Sequence, residues 1–152
     1  MPSFRTVRHV PFTPRQMFDV VADVERYPEF LPLCEGLLEG ERKISEQGTE
    51  LIATMTVGYK SITEAFTTQV VLDPEASVIT VRNLDGPFTH LANEWHFLPS
   101  GAGCDVHFSI SYAFRSAMLS LIVGAAFDKA VRSYTQAFEA RARALYGPHA
   151  AA

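Results

Sequence analysis

Cysteine is scarce in this chain: Cys34 and Cys104 are the two present, far apart and outside any CxxC pattern. That excludes a disulfide scaffold, and both thiols read as small buried residues of a reduced protein. Long hydrophobic runs are lacking too. The longest, Ala117 to Phe127, is interrupted by Ser120 and Gly124, and it falls short of the ~18–20 residues that span a bilayer. Met1 leads directly into a strand-like segment, without the basic region and apolar core of a signal peptide, so a cytoplasmic location is expected. Clustered positive charge is also missing. The formal net charge is −4, and basic residues are scattered, with at most two close together, as at Arg141 and Arg143. Neutralising phosphates needs a clustered basic face, so DNA is not an expected partner.

Catalytic signatures are absent in the same way. His9, His90, His96, His107 and His149 show no metal-binding spacing, and His96 and His107 fall on the polar phase of their strands. There is no GxSxG elbow, and Gly101-Ala102-Gly103 follows Pro99 as a hairpin turn rather than a phosphate cradle. No acid, base and nucleophile converge. The expectation is a binding protein rather than an enzyme, with neither metal nor cofactor.

What is present suffices for one domain, expected over residues 1–148 with a short tail at 149–152. The 152 residues are 47% hydrophobic and 20% charged, ordinary values for a globular protein. Ser116 to Tyr146 carries Leu119, Val123, Ala126, Ala130, Tyr134, Phe138, Ala142 and Leu145 at steps of three and four. That spacing predicts one long helix with an apolar stripe, with Arg132, Gln136, Glu139 and Arg143 opposite and Gly147-Pro148 as its stop. At 1.5 Å per residue it would be ~45 Å long and needs a sheet to lie on.

The preceding chain supplies that sheet. Phe4 to Val10 reads as a strand ended by Pro11. Thr13-Pro14-Arg15-Gln16 reads as a capped helix start, with Met17, Val20, Val21 and Val24 as its apolar side. Tyr27-Pro28-Glu29-Phe30-Leu31-Pro32-Leu33-Cys34 permits only a short helical turn, because two prolines stand four apart. It is too apolar for a solvated loop, so it either closes a core or walls a pocket. From Gly36 to Phe114 the period becomes two, apolar against polar, as in antiparallel strands wetted on one side. Turn material separates the strands: Gln47-Gly48, Val57 to Ser61, Asp73-Pro74-Glu75, Asp85-Gly86-Pro87 and Pro99 to Gly103. The expected architecture is α+β, a curved antiparallel sheet of about seven strands around one long C-terminal helix, with two short helices after strand 1.

Two features bear on a cavity between helix and sheet. Gly124, Ala125 and Ala126 thin the helix beside Phe88, Trp95, Phe108, Met118 and Phe127. Either they let helix and sheet approach closely, or they leave room for a hydrophobic guest. Glu64 is the one acid on an apolar strand phase, and Asn93 is in phase with Leu91 and Trp95. Glu64 is either a buried carboxylate of raised pKa or a strand-end residue reaching solvent. Asn93 either contacts a polar head group or is a satisfied core amide.

Three blocks carry a family resemblance: Asp23 to Cys34, Leu84-Asp85-Gly86-Pro87-Phe88 followed by Trp95-His96-Phe97, and Ala137-Phe138-Glu139-Ala140-Arg141-Ala142. In order and over almost the whole chain, they resemble START-like (helix-grip, polyketide cyclase/dehydrase-type) domains of the coenzyme-Q-binding proteins and ribosome-association toxins. Where that signature often has an aromatic before the cysteine, this chain has Leu33. The resemblance implies a lipophilic cavity that binds ubiquinone as a ligand and supports respiratory electron transport, with peripheral contact at the inner membrane left open. Its alternative implication is a module that binds the large ribosomal subunit. By fold analogy alone, a cyclase or aromatase is a third reading. From strand and helix phase, the expected lining is Phe30, Leu31, Met55, Phe88, Trp95, Phe108, Met118 and Ile122, with Glu64 and Asn93 as polar candidates. The expected gate is the Tyr27–Cys34 corner with the Asp85–Phe88 loop, and a guest would sit under Met118 to Ala126.

Overall fold

Alternation of period two becomes eight antiparallel strands in the computed structural model, which describes residues 2–46 and 48–147. Gln47 of the expected Gln47-Gly48 turn, Pro148 of the stop signal and the 149–152 tail with His149 lie outside the described residues. The strands are β1 (Ser3–Val10), β2 (Cys34–Glu39), β3 (Lys43–Ser45), β4 (Gly48–Tyr59), β5 (Ile62–Asp73), β6 (Val78–Asp85), β7 (Phe88–Ser100) and β8 (Gly103–Phe114). Their order is β1-β8-β7-β6-β5-β4-β2, with β3 also paired to β4. The chain is therefore α+β in the helix-grip arrangement. The sheet has one strand more than expected because the stretch after Cys34 divides into β2 and β3, Gly40 N–H making the last bond of the first piece to Ile52 O of β4 at 2.7 Å. The turn after β4 is also shorter than expected, since pairing continues through Tyr59 opposite Ile62.

Helix α1 (Pro14–Ala22) begins as expected: Gln16 N–H donates to Thr13 Oγ1 at 3.1 Å, and Thr13 N–H donates to Gln16 Oε1 at 2.9 Å. Its apolar side buries Met17, Phe18, Val20 and Val21. A 3₁₀ turn at Val24–Glu29 accommodates Pro28. At its end Leu31 N–H reaches back to Tyr27 O at 2.8 Å, folding the aromatic corner under the C-terminal helices.

The C-terminal helix is not continuous. It divides into α2 (Ala117–Arg132) and α3 (Tyr134–Tyr146) at Ser133. Ser133 Oγ donates to Ala130 O at 2.8 Å, and its N–H is shared between the Ala130 and Val131 carbonyls. A serine hydroxyl that engages its own helix in this way competes with the regular ladder, which is a physical cause of the interruption. Glu139 corrects a second expectation. It lies in the core rather than on the polar side, accepting from Arg8 Nε at 2.5 Å and Arg143 at 2.8 Å. Leu145, expected on the buried stripe, is exposed instead. Among the described residues no helix is long and apolar enough to cross a membrane.

Candidate functional site

Alternate residues of five strands face the C-terminal helices, and they wall a cavity of about 80 Å³. The floor is Ala53 and Met55 of β4, Phe66, Thr68 and Val70 of β5, Ile79 and Val81 of β6, Leu91, Asn93 and Trp95 of β7, and Ile110 of β8. The cover is Val24, Tyr27 and Leu31 of the corner, Leu37 of β2, and Phe127, Tyr134 and Phe138 of the helices. Phe138 is the centre of the cover. Its ring meets Trp95 at 5.0 Å, Tyr27 at 5.2 Å and Phe30 at 5.3 Å, each edge to face.

Polar atoms in this wall come from Tyr27, Thr68, Asn93 and Tyr134. The Tyr27 hydroxyl donates to Val21 O. Burial pushes the Tyr27 and Tyr134 phenols well above the ordinary tyrosine range, so both stay neutral. Asn93 is a satisfied amide: Nδ2 donates to Ser109 O at 2.9 Å, and Oδ1 accepts from Trp95 Nε1 at 3.1 Å. That pair fixes the indole in the cavity wall. Nearby, burial pushes the Cys34 thiol up to about 11, outweighing the lowering effect of a backbone hydrogen bond at Gly36, so it remains protonated. Cys104, buried beside Asp105, is likewise pushed up to about 11. Both cysteines are free and buried, as expected.

A second cavity, of about 30 Å³, lies under the first half of α2. Leu119 and Val123 cover it. The end of the β4–β5 hairpin contributes Val57, Tyr59, Ile62 and Glu64, and Leu33, Pro87, Phe88 and Phe114 complete the ring. Phe127 belongs to both cavities. Phe66, Phe88 and Phe127 form the partition, with centroids 5.3 Å apart for the first pair and 5.4 Å for the second. Two backbone features hold this region. Gly86 has φ +136°, and a Cβ there would stand 2.6 Å from Phe66 Cβ, so only glycine lets the β6–β7 turn close on the partition. Leu33 has φ +66°, a left-handed conformation of some 1–3 kcal/mol cost, and its carbonyl is held by Gly58 N–H at 3.0 Å.

The expected lining residues therefore divide. Leu31, Met55, Trp95 and Asn93 line the larger cavity, while Phe88 and Glu64 line the smaller one. Phe30 and Phe108 stand one layer back: Phe30 packs on Tyr27 and Phe138, and Phe108 supports Trp95 at 4.5 Å. Met118 and Ile122 are corrections, being 70% and 46% exposed. Leu119, Val123 and Phe127 point inward at steps of four, so residues one position earlier are turned ~100° away. Gly124 and Ala125 face an outer groove with Ser116, Ala117, Ser120 and Asp128, so the thinned part of the helix does not enlarge the larger cavity. That cavity lies below the helix interruption, not below Met118 to Ala126. The lining residues missed from sequence had a signal: Phe127, Tyr134 and Phe138 share a helix face, and Ile79, Val81, Leu91 and Ile110 share their strands' inner phase. Leu33 and Pro87, one from each expected gate segment, both line the smaller cavity.

Among the described residues no group of three or more His, Cys, Asp or Glu side chains is placed to hold a metal ion. The family described as polyketide cyclase/dehydrase and lipid transport matches residues 10–139. The ribosome association toxin RatA of Rickettsia prowazekii is 32% identical over 146 residues, covering 94% of this chain and 97% of that protein. The mitochondrial coenzyme Q-binding protein COQ10 homolog B of Xenopus laevis is 31% identical over 140 residues, covering 90% of this chain and 56% of that protein. Among solved structures, the 18 kDa protein CC1736 of Caulobacter crescentus superposes with a TM-score of 0.78 at 36% identity, covering 97% of this chain and 99% of that one. The Zhui aromatase/cyclase of Streptomyces sp. R1128 shares the fold, with a TM-score of 0.76 at 18% identity and 93% of each chain covered.

Proposed function

Because the chain belongs to the polyketide cyclase/dehydrase and lipid-transport family, we propose that it binds and chaperones an isoprenoid quinone of the ubiquinone type, in support of respiratory electron transport. One observation carries this reading: a cavity between sheet and helices walled almost wholly by aliphatic and aromatic side chains, with Trp95 fixed in the wall. The likeness to a protein named for coenzyme Q binding supports the choice of ligand. At about 80 Å³ the cavity is far below the roughly 300–1,000 Å³ of ligand pockets, so a guest must dilate it. Dilation along the seam from the larger to the smaller cavity would have to move the partition of Phe66, Phe88 and Phe127, of which Phe127 lines both cavities. Each Å² of apolar ligand surface buried would contribute about 25 cal/mol against that cost.

Catalysis of the cyclase kind would need an acid or base in the larger cavity. Glu64 faces the smaller one and the Asn93 amide is engaged at both ends, which favours binding over chemistry. The experiment is lipid extraction from protein purified out of its native host, followed by titration of the protein with ubiquinone. A co-purifying quinone, quenching of Trp95 and a raised melting temperature are expected. Absence of all three overturns the proposal. Trp95 is the single tryptophan of the sequence, so the optical signal reports this cavity.

A second reading, association with the large ribosomal subunit, is favoured by the full-length likeness to proteins named ribosome association toxins. It would use the outside of the molecule. The outward sheet face, where His96 and His107 stand opposite each other across β7 and β8, is the surface to alter. Sucrose-gradient profiling after overexpression decides it: an accumulation of free subunits supports the reading, and an unchanged profile removes it.

A further inference from the structure

We infer that the first half of α2 is a docking element for the surface of a lipid bilayer, resting its apolar outer flank in the lipid above the smaller cavity. Residues Ser116 to Phe127 contain no charged side chain. Leu119 and Val123 face inward onto the smaller cavity, yet Leu121 is 85% exposed and Met118 and Ile122 stand beside it in solvent. A helical segment with no charged face, broken only by small serines and a glycine, is normally covered over most of its surface. Here one flank is covered by protein and the other by nothing within the described residues. Exposed apolar side chains occur elsewhere, notably Leu38 and Ile44 on β2 and β3, but those alternate with Glu39, Glu41, Arg42 and Lys43. The α2 knob has no such interruption.

A bilayer is the occupant that fits, because the knob is continuous with the route to the site. The same helical turns that present Met118, Leu121 and Ile122 outward roof the smaller cavity, and Phe127 alone of α2 separates that cavity from the larger one. A lipid-soluble guest leaving a bilayer under this knob would meet apolar side chains throughout. Tyr59 and Lys60 at the β4–β5 tip and Arg115 before α2 border the region, and an aromatic and cations suit the headgroup level. Glu35, Glu64 and Asp85 border it as well, so the rim is mixed in sign. Docking is therefore driven by apolar insertion and does not need anionic lipid. The choice of a bilayer as occupant rests on the lipophilic-ligand reading, while the exposed apolar surface stands without it.

Flotation of the full chain with phosphatidylcholine vesicles tests this. The unaltered protein should float, equally at low and high salt. Met118→Glu with Leu121→Glu should lower the bound fraction about tenfold or more, and Leu121→Ser alone should lower it several-fold. Both sites are exposed, so neither variant should move the melting temperature appreciably, and Leu38→Glu with Ile44→Glu should float like the unaltered protein. The inference is overturned if the unaltered chain stays at the bottom of the gradient, or if the double glutamate variant still floats. It is equally overturned if light scattering shows a dimer that this variant dissolves, which would assign the face to a second copy. Trp95 quenching by a short-chain soluble quinone separates this from the ligand proposal. Retention in the double variant is expected, and loss of quenching in every form sinks the quinone while leaving flotation to stand.

Discussion

Glu139 illustrates how much a single side chain depends on its partners. Its helix position looks polar, yet its side chain is only 10% exposed and bridges Arg8 of β1 and Arg143 of α3. Burial alone would raise its pKa, but the hydrogen bonds from Arg8 and Arg143 outweigh burial and hold it below the ordinary glutamate value. The folded-state pKa is depressed, so the stabilisation is fully present above the unfolded value of 4.5 and is lost as pH falls through the lower folded value. Glu139→Gln should cost about 1–2 kcal/mol at neutral pH, since Arg8 can turn to solvent, and the deficit should shrink in acid; denaturant melts at pH 7 and below pH 4 check both. Ala53, on the cavity floor, offers the opposite test. Ala53→Leu should fill the space, raise the apo melting temperature by a few degrees and weaken quinone binding about tenfold or more. Neither effect was legible in the sequence. Glu139 reads as part of the helix's polar side with Arg132, Gln136 and Arg143, and its partner Arg8 lies 131 residues away.

Strands and helices differed in how far their patterns could be read. The inner phase of β4, β5, β7 and β8 was legible, because a period of two leaves one alternative and the outer residues are threonine, serine, histidine and acid. Met55, Trp95 and Asn93 landed in the cavity wall for that reason. The phase of α2 was legible only in part: Leu119 and Val123 face inward as their spacing predicts, but with no charged side chain between Ala117 and Phe127 nothing marked Met118 and Ile122 as outward. The interruption at Ser133 was hidden too, since a serine within an amphipathic run is compatible with an unbroken helix. The β6–β7 turn carries the firmest prediction at this scale. Gly86→Ala would place a Cβ against Phe66 at a left-handed φ, and should destabilise by about 2–3 kcal/mol, read as a lowered denaturant midpoint with unchanged slope.

At the scale of the whole molecule, the nearly filled cavity makes ligand binding a repacking event. Binding at a ligand concentration of about 100 times Kd should stabilise the fold by about 2.7 kcal/mol. Hydrogen exchange should slow together at the corner around Leu33 and the turn around Pro87, because both border the smaller cavity; independent behaviour of the two would separate them as a gate. A different consequence follows from the pairing of β1 with β8. The sheet starts at one end of the chain and is closed by a strand about a hundred residues later, from Ser3 opposite Ser111 to Val10 opposite Cys104. During synthesis, β1 leaves the ribosome with no partner and waits while six other strands are made. The meander from β4 to β8 can form by successive local hairpins, but the first strand must find its place by a long-range search. Folding should therefore finish late, with an unpaired strand carrying Phe4 and Val10 exposed until β8 has emerged, and that interval is when this chain is most open to aggregation or to capture by a chaperone.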